Sequence, residues 1–88
     1  MSALLTAADV RDARFRKPRF GRRGYDEDQV DKLLEEVVAR LEGRGTLTAA
    51  EVRETRLRKP PVGKRGYNED EVEELLERIA CTLEALRR

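Results

Sequence analysis

The sequence predicts an all-α fold in which two similar repeats pair through their longer helices as a short parallel coiled coil, flanked by short helices. The first observation is internal repetition. Leu5 to Glu42 can be laid over Leu47 to Glu84 without a gap, and more than half of the aligned positions are identical, which marks a repeat protein. The second is composition: 42% of the residues are charged and 5% are aromatic, as in long helices and coiled coils.

The repeats divide the chain at a glycine-containing joint into residues 1–44 and residues 45–88. Because chains of about 40 residues rarely fold alone, we expect the two repeats to form one pseudo-symmetric domain. Exchange of repeats between two chains would make the same contacts. A monomer and a homodimer are therefore both open.

Each repeat is predicted to begin with a short helix that ends near position 14 or 56. Thr6 and Thr48 are good N-caps, and Asp9 and Glu51 stand three residues later, where they can complete capping boxes. The proline and glycine residues that follow favour a turn over a continued helix.

The loop after each short helix is strongly basic and has one apolar residue near its predicted tip. Phe20 and Val62 are those residues, and the cations that we predict to bind the membrane with them are Arg22, Arg23, Lys64 and Arg65. Such a loop suits an anionic membrane surface, where each exposed cation contributes about 1 kcal/mol. The alternatives are a solvated loop and, for Arg23 and Arg65, a structural tie to the acidic helix start.

The longer helix of the first repeat is predicted to span positions 27 to 42. Asp26 and Asn68 are candidate N-caps for the two longer helices, with Gln29 and Glu71 placed to close capping boxes. Apolar residues at alternating spacings of four and three predict the helix seam; they are Val30, Leu34, Val37, Leu41 and Val72, Leu76, Ile79, Leu83, Leu86.

Pairs of acids one helical turn apart lie beside the tyrosine that precedes each longer helix. Two carboxylates and an aromatic ring suit an arginine of a partner peptide, which can be bound bidentately and stacked. The candidate peptide-binding residues are Tyr25, Asp31, Glu35 and Tyr67, Glu73, Glu77. The alternative is a hydrophilic flank of the coiled coil.

The residue inventory argues against several functions. The chain has no histidine and one cysteine, so we predict a protein that is not an enzyme and has no cofactor or metal. A net charge of +1 gives no general case for nucleic-acid binding. The single thiol, Cys81, and the lack of a signal peptide or long apolar run predict a cytoplasmic protein.

The run Leu-Thr-Ala-Ala-Asp-Val, then Phe-Arg-Lys-Pro, then Gly-Arg-Arg-Gly-Tyr-Asp-Glu-Asp-Gln-Val resembles the N-terminal domain of DivIVA, the bacterial polar and septal scaffold. The second repeat carries the same pattern. This resemblance implies a short helix and a crossed loop before a parallel coiled coil. It also implies binding to the inner face of the cell membrane during division or polar growth.

The resemblance also implies roles for particular residues. Phe20 and Val62 fit the lipid-inserting tip of the family, and Arg23 and Arg65 fit the arginine that supports it. The six candidate peptide-binding residues match the pattern by which a related adaptor of penicillin-binding proteins (GpsB) grips an arginine. Cell-division or cell-wall synthesis proteins are thus the expected partners. The alternative is a soluble adaptor that binds their arginine-containing tails without touching lipid.

Overall fold

The computed structural model describes residues 4–87, which form four helices joined by extended loops. They are α1 (Ala7–Arg11), α2 (Glu27–Leu41), α3 (Ala49–Glu54) and α4 (Glu69–Leu86). Within these residues, β pairing is limited to one antiparallel bridge between Tyr25 and Tyr67. The prediction of an all-α fold is confirmed.

The two short helices begin as predicted but end early. Thr6 and Thr48 each cap their helix, and the reciprocal bonds from Asp9 and Glu51 complete both capping boxes. The helices end at Arg11 and Glu54, three and two residues before the predicted positions. Farther along each loop the backbone bonds to the other repeat: the Arg16 carbonyl accepts from the Asn68 N–H and the Arg58 carbonyl accepts from the Asp26 N–H, both at 2.9 Å.

The predicted capping boxes of the longer helices are wrong. Asn68 does accept a hydrogen bond from the Glu71 N–H at 3.0 Å, but the Asp26 side chain makes no capping bond. The side chains expected to close the boxes point to the other repeat instead. The Gln29 amide group donates to the Arg56 carbonyl at 2.8 Å, and the Glu71 carboxylate accepts from the Arg16 N–H at 2.7 Å.

The two loops cross and pair directly before α2 and α4. The Tyr25 N–H donates to the Tyr67 carbonyl at 3.0 Å, and the Tyr67 N–H donates to the Tyr25 carbonyl at 2.9 Å. The Gly66 N–H donates to the Arg23 carbonyl at 2.8 Å. A Cβ atom on Gly66 would overlap the Tyr25 carbonyl, so the pairing requires glycine there. Because the crossing precedes both helices, α2 and α4 start at the same end of the molecule.

The core is built from all four helices and the segment before α1. Its buried residues are Leu5, Val10, Val37, Ala49, Val52, Ile79, Ala80 and Leu83. The predicted seam is only partly buried: Leu34, Leu41 and Leu76 are half-buried, whereas Leu86 is 46% exposed. Leu86 lies in the last turn of α4, at a repeat position that α2 does not reach because it ends at Leu41.

The different lengths of the long helices follow from one glycine. Gly43 has a φ of +82°, its N–H donates to the Arg40 carbonyl at 3.1 Å, and the Arg44 N–H donates to the Ala39 carbonyl at 2.8 Å. This is a Schellman motif that ends α2. The second repeat has Ala85 at the matching position, and α4 continues past it.

A buried threonine joins the beginning of the described chain to α4. The Thr82 hydroxyl accepts from the Leu5 N–H at 3.0 Å and donates to the Arg78 carbonyl at 2.9 Å. Thr82 is 1% exposed, and the matching residue of the first repeat is Arg40. The sequence analysis missed this contact. The division into two repeats at positions 44 and 45 stays a prediction.

Candidate functional site

The predicted loop tips are the most exposed large apolar side chains in the described chain. Phe20 has a relative exposure of 103% and Val62 of 92%. Each is the second residue of a tight turn, 19–22 or 61–64, closed by a backbone hydrogen bond of 2.9 or 3.0 Å. The third residue of each turn is a glycine with φ of +83° or +87°, which glycine adopts without strain. The turns hold both apolar side chains out in solvent.

Arg23 and Arg65, predicted beside the tips, fasten each loop to the other. The Arg23 guanidinium donates to the Pro60 carbonyl, and the Arg65 guanidinium donates to the Pro18 carbonyl. These bonds run from loop to loop and not to the acidic helix starts, which differs from the structural tie that the sequence suggests. The two arginines therefore stabilise the crossing that carries both tips.

Only some of the other cations around the tips are paired with acids. Arg22 forms an ion pair with Glu69 at 3.1 Å. Within residues 4–87, the side chains of Arg19, Lys59 and Lys64 take part in no ion pair. The tips are thus surrounded by basic charge that internal acids only partly neutralise.

Two grooves contain the candidate peptide-binding residues. The first groove, between α1 and α2, has a volume of about 690 Å³ and includes Phe15, Asp31, Leu34, Glu35, Val38 and Tyr67. The second groove, its counterpart beside α3 and α4, has a volume of about 380 Å³ and includes Tyr25, Arg53, Leu57, Glu73, Leu76 and Glu77.

Each groove takes its tyrosine from the opposite repeat. The Tyr67 hydroxyl donates to Asp31 at 2.8 Å, and the Tyr25 hydroxyl donates to Glu73. The sequence analysis had grouped each tyrosine with the acids of its own repeat. The grouping changes because the loops cross before the long helices begin. Each tyrosine ring therefore lies beside the long helix of the opposite repeat.

Both tyrosines are held in the protonated form. Burial, and then the hydrogen bond to Glu73, raises the pKa of Tyr25 to about 12. Burial and the hydrogen bond to Asp31 raise the pKa of Tyr67 to about 12 in the same way. At neutral pH each hydroxyl is a fixed donor that orients one carboxylate of its groove.

The first groove has a second aromatic ring behind its tyrosine. The Phe15 and Tyr67 ring centroids are 4.9 Å apart, with the planes tilted by 43°. Leu57 stands at the matching position in the second groove. The sequence analysis gave Phe15 no role in the groove. The signal that could have found it is the difference between Phe15 and Leu57 at the same position of the two repeats.

The arginines near the end of the short helices form one equivalent ion pair in both repeats, Arg11 with Glu42 and Arg53 with Glu84, and Arg53 forms an additional one with Glu77. Arg53 donates to Glu77 at 3.2 Å and to Glu84 at 2.7 Å, and these bonds raise the pKa of its guanidinium. Arg11, its counterpart, binds Glu42. The sequence analysis missed both pairings because they join positions far apart in the chain.

The described residues contain no cluster of histidine, cysteine, aspartate or glutamate that would hold a metal ion. No helix in this part of the chain has the length and apolar character needed to cross a membrane.

Comparison with known proteins finds similarity over part of the chain. The cell wall synthesis protein Wag31 of Mycobacterium tuberculosis, of Mycobacterium leprae and of Mycolicibacterium smegmatis is 51% identical to this chain over 37 residues. The match covers 42% of this chain and 14% of each relative. It supports a DivIVA-like relationship. No family model and no solved structure matches.

Proposed function

We propose that this protein is a non-enzymatic, DivIVA-like binding module that associates with the inner face of the cell membrane in bacterial cell division or polar growth. The observation that carries the proposal is the pair of exposed tips, Phe20 and Val62, within basic loops. The partial similarity to a cell wall synthesis protein supports the cellular context.

Two tips in one folded unit make weak contacts effective. Full burial of an apolar side chain of this size contributes about 1.5 to 3 kcal/mol, and each nearby cation contributes about 1 kcal/mol at an anionic surface. The crossing that pairs Tyr25 with Tyr67 fixes one loop relative to the other. Once the first tip inserts, the second is therefore held at a high effective concentration.

Co-sedimentation with vesicles of phosphatidylglycerol and phosphatidylcholine tests membrane binding. We expect the wild-type protein to bind at low salt, and Phe20→Ala with Val62→Ala to release it with its helicity unchanged. The matched control is Leu4→Ala with Leu86→Ala, because those side chains are 44% and 46% exposed but lie outside the loops. Wild-type protein that stays in the supernatant at low salt would refute membrane association.

The first groove supports a second candidate function, that of a soluble adaptor for arginine-containing tails of envelope-synthesis proteins. Asp31 and Glu35 lie one helical turn apart on α2, and the Tyr67 hydroxyl orients Asp31. A guanidinium can donate bidentate hydrogen bonds to these carboxylates and stack on the tyrosine ring, a combination that an ammonium group cannot reproduce.

Fluorescence anisotropy with synthetic cytoplasmic tails of cell-wall synthesis enzymes tests the adaptor. We expect binding that weakens when the arginines of the tail are replaced by lysine, and that is lost in Glu35→Gln. Glu36→Gln is the control, because Glu36 is an exposed neighbour that does not line the groove. Equal binding of arginine and lysine tails would contradict guanidinium recognition.

A further inference from the structure

The two grooves differ in what their acids already bind. In the second groove, the Arg53 guanidinium bonds to Glu77 and Glu84, so an arginine of the chain itself occupies the acid expected to receive a partner. In the first groove the counterpart of Glu77 is Glu35, and within residues 4–87 it takes part in no ion pair.

The arginines that line the first groove form their bonds with groups other than Asp31 and Glu35. Arg11 and Arg44 both bind Glu42, the latter at 2.5 Å. Arg14 donates to two backbone carbonyls, those of Arg11 at 3.2 Å and Ala13 at 2.9 Å. Asp31 accepts one hydrogen bond, from a neutral tyrosine hydroxyl. Within residues 4–87, neither Asp31 nor Glu35 is therefore bonded to a guanidinium of the chain itself.

Shape and aromatic content favour the same groove. Its volume of about 690 Å³ compares with about 380 Å³ for the second. The Tyr67 ring centroid lies 4.9 Å from that of Phe15, whereas the second groove has the aliphatic Leu57 at the matching position. A paired aromatic wall offers a guanidinium a broader stacking surface.

We propose, building on the adaptor function above, that only the first groove accepts a partner's guanidinium, and that Arg53 holds the second groove closed as an internal substitute for that ligand. One chain then binds one arginine-bearing segment, although it contains two repeats. The ion pair between Arg53 and Glu77 also indicates that a carboxylate of this type of groove can bind a guanidinium.

Nuclear magnetic resonance titration of the full ¹⁵N-labelled chain with the peptide acetyl-Ala-Arg-Ala-amide tests this proposal. In the wild-type protein we expect saturable shifts in the α2 amides around Glu35 and none around Glu77. In Arg53→Gln we expect a second set of saturable shifts, around Glu77, that is absent from the wild-type titration.

Arg11→Gln is the matched control, because it removes the equivalent arginine and should leave the amides around Glu77 unmoved. Equal shifts around Glu35 and Glu77 in the wild-type protein would overturn the inequality of the grooves and leave the adaptor function standing. Loss of the helical circular dichroism in Arg53→Gln would assign Arg53 a structural role and overturn the proposal. The absence of shifts in every variant would overturn the adaptor function itself.

Discussion

Substituting Gly66 by alanine should force the two crossed loops apart and destabilise the protein. Gly66 lies outside the left-handed region of φ, and its Cβ would overlap the carbonyl carbon and oxygen of Tyr25. The cost of this substitution therefore arises from contact with backbone rather than from φ. Because a backbone carbonyl in a paired loop has no alternative rotamer, the two loops must separate.

The expected cost follows from the bonds that the separation breaks. Five backbone hydrogen bonds join the two loop segments, and two of them, from Asp26 to Arg58 and from Asn68 to Arg16, lie to either side of the overlap. The three at the overlap are two between Tyr25 and Tyr67 and one from Gly66 to Arg23. At about 0.5 to 1.5 kcal/mol each, their loss lowers the free energy of unfolding by roughly 2 to 4 kcal/mol. A chain of this length has a total of about 4 to 13 kcal/mol, so the variant should be severely destabilised.

Urea unfolding followed by circular dichroism measures this loss, with Gly63→Ala as the control. Gly63 has a φ of +87° and nothing within 4 Å of its Cβ position, so its alanine variant carries only the φ penalty of about 1 to 2 kcal/mol. Gly66→Ala should also lower the pKa of Tyr25 toward the ordinary value. A Gly66→Ala protein within about 1 kcal/mol of wild type would refute the reasoning.

Three further outcomes are expected. Ile79→Ala should lower the free energy of unfolding by about 2 to 5 kcal/mol, and Leu86→Ala should lower it by less than about 1 kcal/mol. The reason is that the Ile79 side chain is 1% exposed and the Leu86 side chain 46%. Chemical denaturation of both variants measures the difference. Tyr67 has its pKa raised from 10.0 to about 12, so its contribution to stability is fully present below pH 10 and is lost as the pH rises through 12; absorbance titration of the phenol checks this. Thr82→Val should cost about 1 to 3 kcal/mol because it leaves the buried Leu5 N–H unpaired, whereas Thr82→Ser, which keeps the hydroxyl, should cost less in the same assay.

Local signals in the sequence predicted the features that depend on neighbouring residues. The capping boxes of the short helices need only residues three positions apart, and Thr6 with Asp9 forms one as expected. The exposed tips Phe20 and Val62 also follow from local turn chemistry. α2 and α4 also begin directly after the predicted N-cap positions, Asp26 and Asn68, although only Asn68 accepts a capping bond there.

Contacts between the repeats could not be predicted in the same way. Gln29 was expected to bond within its own helix start, yet it reaches Arg56, because the crossing brings an extended backbone within its range. Repetition of sequence makes each tyrosine equally compatible with either set of acids. The choice between them depends on the path of the loops, and periodicity carries no information about that path.

Because the loops cross, each candidate groove is formed by residues of both repeats. The first groove takes Asp31 and Glu35 from the first repeat and Tyr67 from the second, so neither repeat contains a complete groove. The same loop segments carry the tips, and Arg65 bonds to Pro18 of the opposite loop. The contacts that pair the loops are therefore also those that assemble the grooves and orient the tips. Because both repeats lie in one chain, the two grooves need not have identical residues. Phe15 in one and Leu57 in the other is an example. A dimer of two identical single-repeat chains would have the same residues in both grooves.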